Sequence, residues 1–185
     1  MRQCMHTDGP LHNRRQRTTG FAELRRLVRN YKGRIAMNTS TTMVKGLEDG
    51  SNGCALRYSL APTITASEFA RRSKEEEWVA VDARSEDERR VSIIPNALSI
   101  AEFEGQLEQH RKKRILVYCT VGCRSGAYAQ VLRDSGFDAF SLWGGVLAWT
   151  FDKGQFVTPD GRSTESVHVS DAYWDVLPQG YKAVW

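Results

Sequence analysis

Apolar and polar positions follow two regimes along the chain. From residue 1 to 59 the order is irregular and polar, whereas from about Pro62 short apolar runs alternate with amphipathic stretches. Trp78-Val79-Ala80-Val81-Asp82 is a continuous apolar run closed by a polar residue, as expected for a strand covered on both faces. Ile115-Leu116-Val117-Tyr118-Cys119 is a second and stronger run. Thr65 with Glu68, and Ser99 with Glu102, have the spacing of capping boxes and predict helices reaching Arg72 and about His110. After the second run comes a tight loop, Thr120 to Gly126, then Tyr128, Val131 and Leu132 at helical spacing, with Gly136 as the stop. Ala139 to Leu142 predicts a further strand, and Gly144-Gly145 leads into a helical turn from Val146 to Trp149. Strands that alternate with helices predict an α/β unit with a mainly parallel central sheet flanked by helices. It is expected over residues 60–152, after an N-terminal extension (1–59) and before a C-terminal arm (153–185).

Composition narrows the class. With 185 residues, 41% hydrophobic and 26% charged, the chain has the balance of a globular protein that buries a core unaided. No run approaches the ~20 apolar residues of a membrane helix, and no apolar segment follows Met1, so neither a span nor secretion is expected. Cys4, Cys54, Cys119 and Cys123 form no CxxC pair, and with four histidines they make no metal-ligand pattern. A reduced compartment and a reaction without metal or cofactor are therefore expected. The net charge of +4 hides an asymmetry: residues 1–45 hold ten Lys/Arg against Asp8 and Glu23, a net +8. Phe21, Leu24 and Val28 share one face of a candidate helix beside Arg25, Arg26 and Arg29. The segment reads either as an organellar presequence or as a solvated extension of a cytoplasmic protein, with Met37 and Met43 as alternative starts. Aromatic residues do not interleave with these arginines, so nucleic-acid binding is not expected.

Candidate chemistry centres on Cys119. In a parallel sheet, ligands sit at the carboxyl ends of strands, and Cys119 ends its run directly before a loop that feeds a helix. Loop N–H groups, the helix dipole and Arg124 all favour a thiolate there. The same cradle suits an oxyanion or a sulfur anion.

Three blocks carry a resemblance: Val79 to Arg84 with Ile94-Pro95-Asn96-Ala97; Tyr118-Cys119-Thr120-Val121-Gly122-Cys123-Arg124-Ser125; and Gly136-Phe137 through Leu142-Trp143-Gly144-Gly145-Val146-Leu147-Ala148-Trp149. Residues 78–150 resemble the rhodanese domain, a family of sulfurtransferases with a three-layer fold. The resemblance implies that Cys119 takes sulfane sulfur from thiosulfate or another persulfide donor and hands it to cyanide or a thiol. It also implies a persulfide cradled by residues Thr120, Val121, Gly122, Cys123, Arg124 and Ser125, with Asp82 and Arg84 supporting the fold nearby. Ser125 is expected to cap the helix, and Trp143 and Trp149 to be core or pocket wall. Cys-x4-Arg resembles the sulfurtransferase loop, whereas the related phosphatases carry Cys-x5-Arg.

Two positions depart from the family pattern. Ile93 and Asn96 stand where His and Gly are common, and Cys123 adds a second thiol that could resolve Cys119 as a redox switch. His168, in the arm, is a candidate base but reads better as structural. Arg111-Lys112-Lys113-Arg114 reads as a solvated helix end. A non-catalytic or sulfur-relay module, with a protein as its sulfur acceptor, is the alternative to an enzyme acting on small molecules.

Overall fold

The computed structural model describes residues 61–170 and 172–185. The expectations for the basic segment, with Cys4 and Cys54, lie outside the described residues.

Five parallel strands form the central sheet: β1 (Thr63–Ile64), β2 (Trp78–Asp82), β3 (Leu98–Ser99), β4 (Arg114–Tyr118) and β5 (Asp138–Leu142). Their order is β1-β5-β4-β2-β3, which puts the two apolar runs side by side at the centre. Side chains of β4 alternate between faces. Ile115 and Val117 enter one core with Val79 and Val81, while Leu116 and Tyr118 enter the other with Ile64 and Leu142. Every one of them is buried, because helices cover both faces.

On the first face lie α3 (Ile100–Gly105), a 3-10 turn (Leu107–His110) and α4 (Cys123–Asp134), which contribute Phe103, Leu107, Tyr128, Ala129 and Leu132. On the second lie α1 (Ala66–Arg72) and α5 (Gly145–Phe151), which contribute Ala66, Val146 and Leu147. The result is the three-layer α/β fold expected.

Local differences have local causes. Thr65 caps α1, its hydroxyl accepting from the Glu68 N–H at 3.2 Å, but Glu68 pairs with Arg72. The Ser99–Glu102 box forms in full. The helix expected to reach His110 stops at Gly105, because Gln106 leaves the helical region at φ −125° and the chain tightens into the 3-10 turn. An unanticipated helix, α2 (Glu86–Val91), follows β2 and opens with a complete Ser85–Glu88 capping box. Asn96 has φ 63°, so the position where the family favours Gly demands a left-handed backbone, which Asn tolerates better than most residues.

The C-terminal arm closes the second face. β6 (Phe156–Val157) and β7 (Ser163–Thr164) form a hairpin, and β8 (Ser166–His168) pairs in parallel with β9 (Lys182–Val184). Phe156, Val167 and Val169 pack into the core of Leu116 and Tyr118. Ile93 and Val157 exchange two backbone hydrogen bonds, at 2.7 and 2.9 Å, so the arm is stitched to the turn after α2. No helix among the described residues is long and apolar enough to cross a membrane.

His110 is buried, neither ring nitrogen has a hydrogen-bond partner among the described residues, and its ring stacks on Phe103 at 5.5 Å. Burial, and then the charge of Lys113, lower its pKa from the ordinary 6.5. The folded state thus binds this proton less readily than the unfolded chain, and stability falls as pH drops below that value. Urea denaturation at pH 8 and pH 5.5 is expected to show a loss on acidification that shrinks in His110→Phe, which keeps the aromatic stack.

Candidate active site

Cys119 is the first residue after β4, and its side chain continues the parity of Ile115 and Val117 into the first core. It is a free thiol, 1% exposed, at the floor of the loop that ends in α4. The loop turns at Gly122, whose φ of 108° lies in the region that favours glycine. That turn aims the Gly122 N–H back at the sulfur, with N···Sγ 3.1 Å. The 12-residue α4 then begins at Cys123, with its positive dipole end toward the same place.

A second helix start holds the loop from below. The N–H groups of Val146 and Leu147 donate to the carbonyls of Cys119 (2.9 Å) and Thr120 (3.3 Å). This approach requires Gly145: at φ 56°, a Cβ there would stand 2.2 Å from the Cys119 carbonyl oxygen.

Arg124 is anchored on Glu88. Its guanidinium forms a bidentate fork with Glu88, Nη1 to Oε2 at 2.6 Å and Nη2 to Oε1 at 2.7 Å. Thr120 joins the same group, its hydroxyl donating to Glu88 Oε1 at 2.8 Å and accepting from Arg124 Nη2 at 3.0 Å. Burial acts to raise the pKa of Glu88, but the Arg124 hydrogen bonds and charge, with the Ser85 N–H and the Thr120 hydroxyl, outweigh it and bring it down to about 2. Glu88 is therefore an anion at neutral pH, and Arg124 acts as a brace whose charge is matched by it.

Asp82 and Arg84 form a separate buried pair. Arg84 meets both Asp82 oxygens, at 2.8 to 3.2 Å, and donates to the Ser92 carbonyl at 2.6 Å. Burial acts to lower the pKa of Arg84, yet the Asp82 charge and hydrogen bonds prevail and raise it, so the group is charged throughout. Its guanidinium lies 5.5 Å from the centre of the Tyr118 ring, and the Tyr118 hydroxyl accepts from the Ile94 N–H at 3.1 Å. Burial, then Asp82, raise the pKa of that phenol. The pair thus ties the end of β2 to the turn that the arm grips.

Several sequence expectations need adjustment. Ser125 does not cap α4, since Gly122 holds the cap position without a side-chain bond. Its hydroxyl lies instead 3.1 Å from the Gly122 carbonyl, 3.5 Å from Cys119 Sγ and 2.9 Å from Ser141 Oγ. Cys123 is disulfide-bonded while Cys119 is free, so the two are not joined to each other here. Trp143 is 46% exposed and not core, whereas Trp149 packs on the second core with its indole N–H donating to the Gln155 carbonyl. His168 Nδ1 accepts from the Ser170 N–H, and Ser170 Oγ lies 3.4 Å from Thr120 Oγ1. Nor is the basic run merely solvated, because Arg111 donates to the Ser135 carbonyl and Arg114 pairs with Glu76 and Asp138. Glu88 and Ser141 also stand at the site. The Ser85-x-x-Glu88 spacing would have flagged the first, but nothing in the sequence marks Ser141.

Residues 65–152 match the family model described as Rhodanese-like domain. The thiosulfate sulfurtransferase GlpE of Coxiella burnetii is 36% identical over 80 residues, which cover 41% of this chain and 75% of that protein. The tRNA uridine(34) hydroxylase of Acaryochloris marina is 31% identical over 107 residues, 48% of this chain, and the chain spans only 34% of that hydroxylase. Among solved structures, a thiosulfate sulfurtransferase from Pseudomonas aeruginosa aligns at TM-score 0.48 and 28% identity, over 55% of this chain and 21% of that one.

Two substitutions test the geometry. Glu88→Gln removes the charge that matches Arg124 and half of the α2 cap, and is expected to lower stability by about 2–3 kcal/mol in chemical denaturation. Because the folded-state pKa of Glu88 is depressed, its contribution is full above the ordinary value near 4.5 and is lost as pH falls toward about 2. The variant should lack that component of acid sensitivity. Gly145→Ala is expected to displace the Cys119 carbonyl, lowering the thermal midpoint and slowing reactions at Cys119 at least tenfold, about 1.4 kcal/mol of barrier.

Proposed function

The chain belongs to the rhodanese-like domain family, and on that footing we propose that it is a sulfurtransferase with Cys119 as the nucleophile. The single observation that carries this reading is the free Cys119 sulfur held against the Gly122 N–H at the mouth of α4. In the first half-reaction the thiolate attacks the outer sulfur of a donor such as thiosulfate. The donor's S–S bond breaks, sulfite leaves with the electron pair, and Cys119 becomes a persulfide anion. In the second, cyanide or a thiolate attacks the terminal sulfur, giving thiocyanate or an acceptor persulfide and returning the Cys119 thiolate.

The loop supports this chemistry in stages. The Gly122 N–H donates to the sulfur, the α4 dipole favours negative charge there, and residues Thr120 to Ser125 line the space for the outer sulfur. Glu88 neutralises Arg124, so an incoming anion is held mainly by amides and the helix dipole. That arrangement suits a singly charged persulfide donor as well as thiosulfate. Tight enclosure of a sulfur that is 1% exposed also suits transfer of a single atom.

Intact mass spectrometry of the purified full chain after thiosulfate, without reductant, tests the proposal. A gain of one sulfur atom that cyanide removes and that Cys119→Ala abolishes, but Cys123→Ala retains, is the expected outcome. No gain in the wild type with thiosulfate, with mercaptopyruvate or with glutathione persulfide would sink it and leave the protein-interaction reading. A Cys119–Cys123 bond located by fragment mass spectrometry, formed by exchange of the Cys119 thiolate into the existing Cys123 disulfide with release of its former partner as a thiol, would favour a redox switch instead.

A further inference from the structure

Two buried hydroxyls lie behind the Cys119 sulfur. Ser141, on β5, is 2% exposed, and its Oγ is 2.9 Å from the Oγ of fully buried Ser125, on α4. Ser125 Oγ in turn faces two further acceptors, the Gly122 carbonyl at 3.1 Å and Cys119 Sγ at 3.5 Å. Each hydroxyl has one proton to give, which leaves only two arrangements.

If Ser125 donated to Ser141, the Ser141 proton would have no acceptor among the described residues, in a place closed to water. Folded proteins avoid such orphaned donors. If Ser141 donates to Ser125, both protons are used, because that of Ser125 is then free to turn to the carbonyl or to the sulfur. The Gly122 carbonyl already accepts the Gly126 N–H at 2.9 Å, the first helical bond of α4. A sulfur anion is the stronger acceptor, since hydrogen bonds to charged groups are about twice as strong as neutral ones.

We propose that Ser141 is a positioning residue: by donating to Ser125 it directs the Ser125 proton onto the Cys119 sulfur whenever that sulfur carries charge. The anion then receives two hydrogen bonds from different sides, the Gly122 N–H and the Ser125 O–H. When the sulfur is neutral, the Ser125 proton returns to the Gly122 carbonyl, so the pair adjusts to each half-reaction without moving the backbone. This inference rests on Cys119 being the nucleophile of the proposed reaction.

Alkylation of Cys119 by iodoacetamide tests it without any sulfur donor. In this step the thiolate displaces iodide, and fragment mass spectrometry locates the product. The full chain is compared at about pH 7 and about pH 10, on either side of the ordinary thiol range. Ser125→Ala, Ser141→Ala and Ser141→Val are expected to slow alkylation at the lower pH about two- to tenfold, the worth of one hydrogen bond. At the higher pH their rates should match the wild type. Ser141→Thr, which has the size of Val but keeps the hydroxyl, should retain the wild-type rate at both. Wild-type rates in the Ala and Val variants, or equal losses in Thr and Val, would overturn the proposal. A normal hydroxyl effect in a protein that accepts sulfur from no donor would instead leave the relay standing and remove the sulfurtransferase reading.

Discussion

The fork between Glu88 and Arg124 is the constraint on which the site depends. One carboxylate caps α2 through the Ser85 N–H, anchors the Thr120 hydroxyl and takes both guanidinium arms. It thereby joins the helix after β2 to the loop after β4, two segments 36 residues apart in sequence. Without it the half-buried Arg124 would lose its matching carboxylate, and the angle at which Gly122 presents its N–H would be free to drift.

Around that fork the molecule separates duties that a single cation could have combined. Arg124 and Arg84 are both matched by carboxylates, Glu88 and Asp82, so each serves as a strut. Beside the Cys119 sulfur stand a backbone amide, a helix start and a hydroxyl pair. Such groups carry partial charge on rigid supports and need little rearrangement when the sulfur changes charge.

Much of this was legible in the sequence, and the rest was hidden for identifiable reasons. The runs at Trp78–Asp82 and around Ile115–Tyr118 announced central parallel strands, since only burial on both faces tolerates such continuity. The loop signature located Cys119. Helix α2 escaped notice because Glu-Asp-Glu-Arg-Arg is polar throughout and buries only Glu88, leaving no apolar period to read. The orientation of Arg124 depends on that same unseen carboxylate. Ser141 lies inside a strand where an apolar residue is the default, and its meaning appears only when β5 and α4 are brought together.

The stitch between Ile93 and Val157 bears on how far this folding unit extends. Phe156, Val167 and Val169 cover the sheet face that displays Leu116, Tyr118 and Leu142, and all three lie beyond residue 152, where the family match ends. Cutting the chain at that boundary would bare a contiguous apolar surface and release the partner of Ile93, leaving a fragment prone to self-association. The arm is thus part of the core on this face rather than an appendage to it.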